Sequence, residues 1–105
     1  MTEAISVYIT CESTTEAERI ADTLLEKQLI ACANILPGMK SRYRWKGKVE
    51  SSSEAVLVLK SLKKHYQPIE EIVLELHSYD CPCLLALPVE LGSKSYLDWI
   101  AGEVL

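Results

Sequence analysis

The chain of 105 residues has no long hydrophobic run, few glycines and prolines, and no excess of basic residues. No apolar segment approaches the ~20 residues that span a bilayer, which excludes a transmembrane helix. With four glycines, four prolines and 49% apolar residues, the composition is that of a globular protein. A formal net charge of -4 gives little general attraction for a phosphate backbone, so we expect no nucleic-acid partner.

A targeting leader and a need for disulfides are also missing. The segment Met1 to Glu3 lacks the basic start and apolar region of a secretory signal, which predicts a cytoplasmic protein with no membrane partner. The chain is neither short enough nor loop-rich enough to require a disulfide framework, so we predict four free thiols. Cys11 and Cys32 have apolar or small neighbours and are expected to act as small buried hydrophobes. The length predicts one domain over residues 1–105.

The first half of the chain shows the pattern of a strand, a helix and a long hairpin. Residues 5–11 alternate apolar and polar side chains, which predicts a strand. Ser13 and Glu16 form a capping box that starts a helix running to about Leu29. A long hairpin over roughly residues 40–54 follows, turning at Lys46-Gly47-Lys48.

The second half repeats the order of strand, helix and strand. The continuous apolar run at residues 55–59 predicts a central strand covered on both faces. A second helix should end near His77, because its apolar positions recur at helical spacing up to that point. The segment "LLALPV" predicts a buried strand with Cys83 as its first inward residue. A short helix over about residues 95–104 closes the chain.

The order of elements is βαββαβ plus one helix. Two crossovers of this kind must each be right-handed and must each bury a helical stripe, which leaves few arrangements. We therefore predict an α+β fold: a ferredoxin-like sandwich with an extended β-hairpin and a C-terminal helix. Side chains such as Tyr8, Leu57 and Leu59 are too apolar to be left in water on either sheet face. The apolar sheet face and the projecting Tyr43 and Trp45 predict a closed homo-oligomer.

Three segments together resemble the CutA family of divalent-cation tolerance proteins. They are "ACANILPG" followed by "SRYRWKGK", then "LVLKS", and finally "LHSYDCP" with "LPVELGSKSYLDWI". The resemblance implies a tight homotrimer with sheets packed face to face and hairpins bridging subunits. It also implies a cytoplasmic protein linked to copper and other divalent metals, with no established enzymatic activity. His77, Tyr79 and Asp80 match the family pattern, but the glutamate that many members have after the proline is Cys83 here.

The donor types in this segment predict a soft-metal site at His77, Cys81 and Cys83, because copper(I) and zinc favour thiolate and imidazole ligands. Spacing is less favourable, since residues i and i+2 of an extended segment stand ~6.6 Å apart. Pro82 would have to bend the chain to bring the sulfurs together. The competing interpretation is structural: His77 stabilises a helix end, Asp80 forms a turn and Cys83 enters a strand. No obligatory cofactor is predicted; copper or another divalent ion is an optional ligand.

Rival functions follow from other residues. We predict no enzymatic activity. The loop after the first strand, "CESTTEAE", is acidic and lacks the glycine that a phosphate-binding acylphosphatase loop needs. A trimeric sensor of small ligands, similar to the PII signalling family, is the second hypothesis. It would use an inter-subunit cleft at Arg42, Tyr43, Lys60, His77 and Tyr79. A third hypothesis is a structural trimer that anchors a partner protein, with Trp45 and Trp99 at interfaces.

Overall fold

The computed structural model describes residues 2–105. These residues form four strands and three α-helices in the order βαββαβα. The strands are β1 (Ala4–Cys11), β2 (Cys32–Trp45), β3 (Lys48–Leu62) and β4 (Leu84–Pro88). The helices are α1 (Thr14–Glu26), α2 (Tyr66–Leu76), which a 3-10 turn at Lys63–His65 precedes, and α3 (Lys94–Glu103).

The sheet has the order β2-β3-β1-β4, and every neighbouring pair is antiparallel. Helix α1 connects β1 to β2, and β3 lies between these two strands in the sheet. Helix α2 connects β3 to β4, and β1 lies between them. This is the ferredoxin-like arrangement predicted from the order of elements, and the fold class is confirmed. Because the last strand pairs only with β1, β4 is an edge strand.

The core lies between one face of the sheet and helices α1 and α2. Leu57 and Leu59 of β3 are completely buried, as are Val7 and Ile9 of β1. Helix α1 contributes its apolar stripe and α2 adds Ile69 and Val73, whose spacing of four places both on one helical face. The predicted central position of the strand at residues 55–59 is confirmed, but its predicted cover on both faces is not, since Val58 is only half-buried on the face opposite α1 and α2.

Two boundary predictions need correction. Helix α1 ends at Glu26 and does not reach Leu29, because Gln28 adopts a positive φ of 56° that ends the helix and directs Leu29 into the core. The strand after His77 begins at Leu84, so Cys83 precedes it. In the single chain β4 is not buried: Leu85 and Leu87 are 57% and 53% exposed, because their side chains point to the sheet face opposite α1 and α2.

The long hairpin extends well beyond the core, and we call residues 39–54 the arm. Its strands pair from Met39 with Glu54 to Trp45 with Lys48, and the turn at Lys46 and Gly47 has positive φ at both residues. A register irregularity between Leu36 and Met39 contains Gly38 at φ +70°, the conformation of a β-bulge. The arm is solvated and almost free of buried side chains apart from Glu54.

The second face of the sheet is covered only at one end, and we call it the open face. Helix α3 packs there: the Tyr96 hydroxyl lies 3.4 Å from Cys32 Sγ, and Ile100 is 2% exposed. Farther along, Tyr8 pairs in register with Val58 of β3 on one side and with Leu85 of the edge strand on the other. Leu36, Leu85 and Leu87 remain more than half exposed on this face.

Candidate functional site

His77 lies just beyond the last residue of α2, and its buried ring has a defined hydrogen-bonding pattern. The backbone N–H of Tyr79 donates to His77 Nδ1 at 3.1 Å, so Nδ1 carries no proton. His77 Nε2 lies 2.8 Å from the carbonyl oxygen of Thr10, to which only a protonated nitrogen can donate. The ring is therefore neutral imidazole with its proton on Nε2.

Cys11 and Glu16 lie beside this ring and form with it the Cys11–Glu16–His77 cluster. One possible ligand atom from each residue lies within 4.8 Å of the others, and His77 Nε2 is 3.9 Å from Glu16 Oε1. Cys11 is the last residue of β1, Glu16 stands in the first turn of α1, and His77 follows α2. The cluster is thus formed by three element ends on the core side of the sheet.

Glu16 also connects two loops. Its Oε1 accepts from the N–H of Glu12 at 2.9 Å, and its Oε2 accepts from the N–H of Ser78 at 2.8 Å. Burial alone would raise the pKa of the Glu16 carboxyl, but the hydrogen bonds that it accepts from the backbone of Glu12 and Ser78 outweigh burial and hold the pKa below its ordinary value. Glu16 is therefore a carboxylate at neutral pH.

Cys11 is a protonated thiol in the metal-free protein. Burial, and then the negative charges of Glu16 and Glu54, raise its pKa to about 12. A cation that binds this sulfur has to displace the thiol proton.

A cleft of about 650 Å³ lies on the open face between the arm and the loop after α2, and we call it the arm cleft. Tyrosines, a tryptophan, an arginine and two cysteines line most of its walls. Its lining residues are Tyr8, Thr10, Met39, Ser41, Arg42, Tyr43, Trp45, Glu54, Ser78, Tyr79, Asp80, Cys81 and Cys83.

Tyr79 connects the arm cleft with the cluster. Its hydroxyl donates to Glu54 Oε2 at 2.7 Å, its backbone N–H donates to His77, and its ring packs 4.8 Å from the His77 ring. Burial and then the bond to Glu54 raise the pKa of the Tyr79 hydroxyl, which is therefore a donor throughout the neutral range.

The structure divides the predicted metal ligands between two places. His77 is buried with Cys11 and Glu16, whereas Cys81 is exposed and lines the arm cleft with the half-buried Cys83. All four cysteines are free thiols, as predicted. His77 also does more than stabilise a helix end, since its ring joins β1 to the loop after α2.

Three of the four residues predicted for the inter-subunit cleft line the arm cleft, namely Arg42, Tyr43 and Tyr79. Lys60 does not: its ammonium donates to the side chain of Asn34 on β2. Of the two tryptophans predicted at interfaces, Trp45 stands exposed on the arm and Trp99 stacks on Tyr96 of α3.

Sequence reasoning missed Cys11 and Glu16 as potential ligands. The sequence pattern predicts a small hydrophobe at Cys11 and a capping residue at Glu16, and the structure supports both roles. A usable signal was nevertheless present. In the predicted fold both helices cover one sheet face, so the β1–α1 junction lies near the end of α2.

Nearly the whole chain is similar to one protein family. The family model described as CutA1 divalent ion tolerance protein matches residues 5–103. The chain belongs to the CutA1 family. A CutA1 relative from Archaeoglobus fulgidus, named divalent-cation tolerance protein CutA, is 46% identical over 98 residues, covering 93% of this chain and 95% of the relative. The Thermus thermophilus protein of the same name is 42% identical over 94 residues, covering 90% and 91%.

Solved CutA1 structures agree with the fold described above. The Thermus thermophilus protein superposes with a TM-score of 0.93 at 39% identity, covering 96% of this chain and 98% of the other. The Archaeoglobus fulgidus protein, described as a periplasmic divalent cation tolerance protein, also gives 0.93, at 43% identity and coverages of 97% and 99%. The predicted resemblance to the CutA family is confirmed. Across residues 2–105, no helix is long and apolar enough to cross a membrane.

Proposed function

We propose that this CutA1-family chain folds as a single domain and assembles into a cytoplasmic homotrimer. The trimer binds copper or another divalent cation, contributes to metal tolerance and catalyses no reaction. The relatives are named divalent-cation tolerance proteins, which supports a role connected with such ions. The observation that carries the proposal is the Cys11–Glu16–His77 cluster, where sulfur, oxygen and nitrogen donors meet.

The donor set fits a borderline or soft cation. Zinc and copper accept mixed thiolate, imidazole and carboxylate ligands. Bonds of ~2.0–2.3 Å in tetrahedral geometry place ligand atoms roughly 3.3–3.8 Å apart, so the longest separation in the cluster has to contract by roughly 1–1.5 Å. Three protein ligands leave a fourth position for water or for another donor. His77 would coordinate through a nitrogen, Cys11 as thiolate and Glu16 through one oxygen.

Cys81 and Cys83 provide a second place for a soft ion, in the arm cleft with the thioether of Met39. Thiolates and thioethers select copper(I) over harder cations. We rank this pair below the cluster, because the cluster combines three different donors within a short distance.

An anaerobic titration with copper(I), and a parallel one with zinc, against a competing chelator tests the proposal. Cys11→Ala should weaken binding by at least about tenfold, because a direct ligand is lost. Cys81→Ser/Cys83→Ser is the matched control and should bind as the wild type does. If the double variant alone loses affinity, the site belongs in the arm cleft. If neither variant changes the affinity, the cluster does not bind the ion.

Small-ligand sensing is the second candidate function, favoured by the size of the arm cleft and by Arg42 in its wall. A guanidinium beside Tyr43 and Trp45 suits a planar anion, since arginine binds carboxylates in two-point fashion and aromatic rings stack. Arg42→Ala would then remove binding of such a ligand and leave metal affinity unchanged.

A further inference from the structure

The His77 ring and the loop that follows it are linked through a hydrogen bond that metal coordination cannot preserve. Resting on the proposed metal site, we propose that cation binding at the Cys11–Glu16–His77 cluster displaces the loop of residues 78–83, which we call the cleft loop. The shape of the arm cleft then depends on whether the cluster holds a cation.

The argument starts from the position of a single proton. In the metal-free protein Nε2 of His77 is protonated and Nδ1 accepts from the N–H of Tyr79. A cation bound to Nε2 takes that nitrogen's lone pair, so the remaining proton of the neutral ring has to reside on Nδ1. Nδ1–H then faces the N–H of Tyr79. Two donors cannot pair, and the Tyr79 backbone has to move away.

The alternative coordination gives the same result. A cation on Nδ1 would occupy directly the lone pair that accepts from Tyr79. The carbonyl oxygen of Thr10 would keep its donor in this case and would lose it when the cation binds Nε2. Either nitrogen of His77 therefore releases Tyr79, which makes the conclusion independent of the exact coordination geometry.

Glu16 adds a second link to the same loop. Its Oε2 accepts from the N–H of Ser78, the residue before Tyr79. Two of the three proposed ligands thus hold two consecutive backbone N–H groups of the cleft loop. A cation that binds Glu16 withdraws electron density from the carboxylate and shifts its position. The hydrogen bond from Ser78 is therefore weakened while the hydrogen bond from Tyr79 is broken.

The displaced segment forms one wall of the arm cleft. Ser78, Tyr79, Asp80, Cys81 and Cys83 all line it. The bond from the Tyr79 hydroxyl to Glu54 at the base of the arm resists the movement. Linkage is reciprocal. A compound that holds Tyr79 in its present position weakens cation binding by the same factor by which the cation weakens binding of that compound.

Zinc is the probe for the test, since it is diamagnetic and redox-inert. The full-length reduced protein, labelled with nitrogen-15, is titrated with zinc, while calorimetry measures binding on the same sample. We expect the His77 proton to move from Nε2, or the Nδ1 resonance to show direct coordination. We also expect the Tyr79 amide to shift strongly and maleimide labelling of Cys81 to change severalfold. In Cys11→Ala, zinc should produce none of these changes.

The hydrogen bond between the Tyr79 hydroxyl and Glu54 opposes movement of the cleft loop, so removing it tests the coupling independently. Tyr79→Phe removes the bond to Glu54 and should tighten zinc binding by up to about tenfold, the range of one charge-assisted hydrogen bond. Tyr43→Phe, on the arm side of the cleft, is the matched control and should leave the affinity unchanged. Zinc that binds through Cys11 while His77 keeps its Nε2 proton and its bond from Tyr79 overturns the coupling and leaves the proposed function standing. Failure of zinc to bind through Cys11 overturns the proposed metal site at the cluster, and the coupling with it.

Discussion

Glu16 has several roles within one carboxylate: it completes the start of α1, holds the loop after α2 and faces His77. Each role restricts the same side chain, which is why Glu16 has a defined position in the first turn of α1. The depressed pKa has a consequence for stability. In the unfolded chain the carboxyl has an ordinary pKa near ~4.3. Because the folded state lowers this pKa, the ionised carboxylate contributes to the stability of the fold above that pH. This contribution is lost as the pH falls through the folded pKa.

Glu16→Gln should therefore destabilise the protein by about 1–2 kcal/mol at pH 7, because an amide has one acceptor oxygen where the carboxylate has two. The difference from the wild type should shrink as the pH falls below the ordinary carboxyl range and through the lowered pKa of the folded state, because the wild-type carboxyl then takes up a proton. Urea unfolding at pH 7 and pH 3, at one protein concentration, measures it. Glu18→Gln, on the exposed side of α1, is the control. A difference that stays constant with pH would contradict the assignment of charge to Glu16.

Among the elements, the arm depends on backbone conformations that few residues tolerate. Its turn places Lys46 at φ 50° and Gly47 at φ +81°, and the left-handed region twists the hairpin in the sense that its strands require. A Cβ at Gly47 would meet no atom within 4 Å, so the cost of any side chain there is conformational and not steric crowding.

Gly47→Ala should cost ~1 kcal/mol of unfolding free energy, the penalty of placing an L-residue with a Cβ at positive φ. Gly102→Ala is a matched control with the opposite sign. It also meets no atom within 4 Å, but it lies in α3, where alanine is favoured by ~0.5–1 kcal/mol. Thermal and urea unfolding of the two variants should give changes of opposite direction. A stabilised Gly47→Ala would mean that the turn relaxes to another conformation.

At the level of the whole molecule, the open face and the edge strand β4 expose more apolar surface than a lone small domain usually does. Leu36, Leu85 and Leu87 form the exposed part, and β4 also offers unpaired backbone groups along its outer edge. The projecting arm supplies a second strand edge that another copy can contact.

In the proposed trimer, Leu85→Lys/Leu87→Lys should dissociate the assembly, because two charges would be placed in an apolar contact. Sedimentation velocity under metal-free, reducing conditions should give three times the single-chain mass for the wild type and a lower mass for the variant. Leu74→Lys tests specificity, since this leucine is 51% exposed on α2, on the opposite side of the sheet. A wild-type monomer, or a Leu85→Lys/Leu87→Lys variant that still forms a trimer, would contradict this interface.

The sequence alone determined the order of elements, the fold class, the family resemblance and the arm, because these depend on local periodicity, capping residues and turn residues. Ser13 with Glu16, and Lys46 with Gly47, specify their structures within a few positions. Only the tertiary structure decided that His77 joins Cys11 and Glu16 while Cys81 and Cys83 line a different cleft. Those contacts link residues more than sixty positions apart, and the pairing of β1 with β3 and β4 places them. The exposure of β4 also had to come from the tertiary structure, since an apolar run has the same sequence pattern whether or not a second layer covers its side chains.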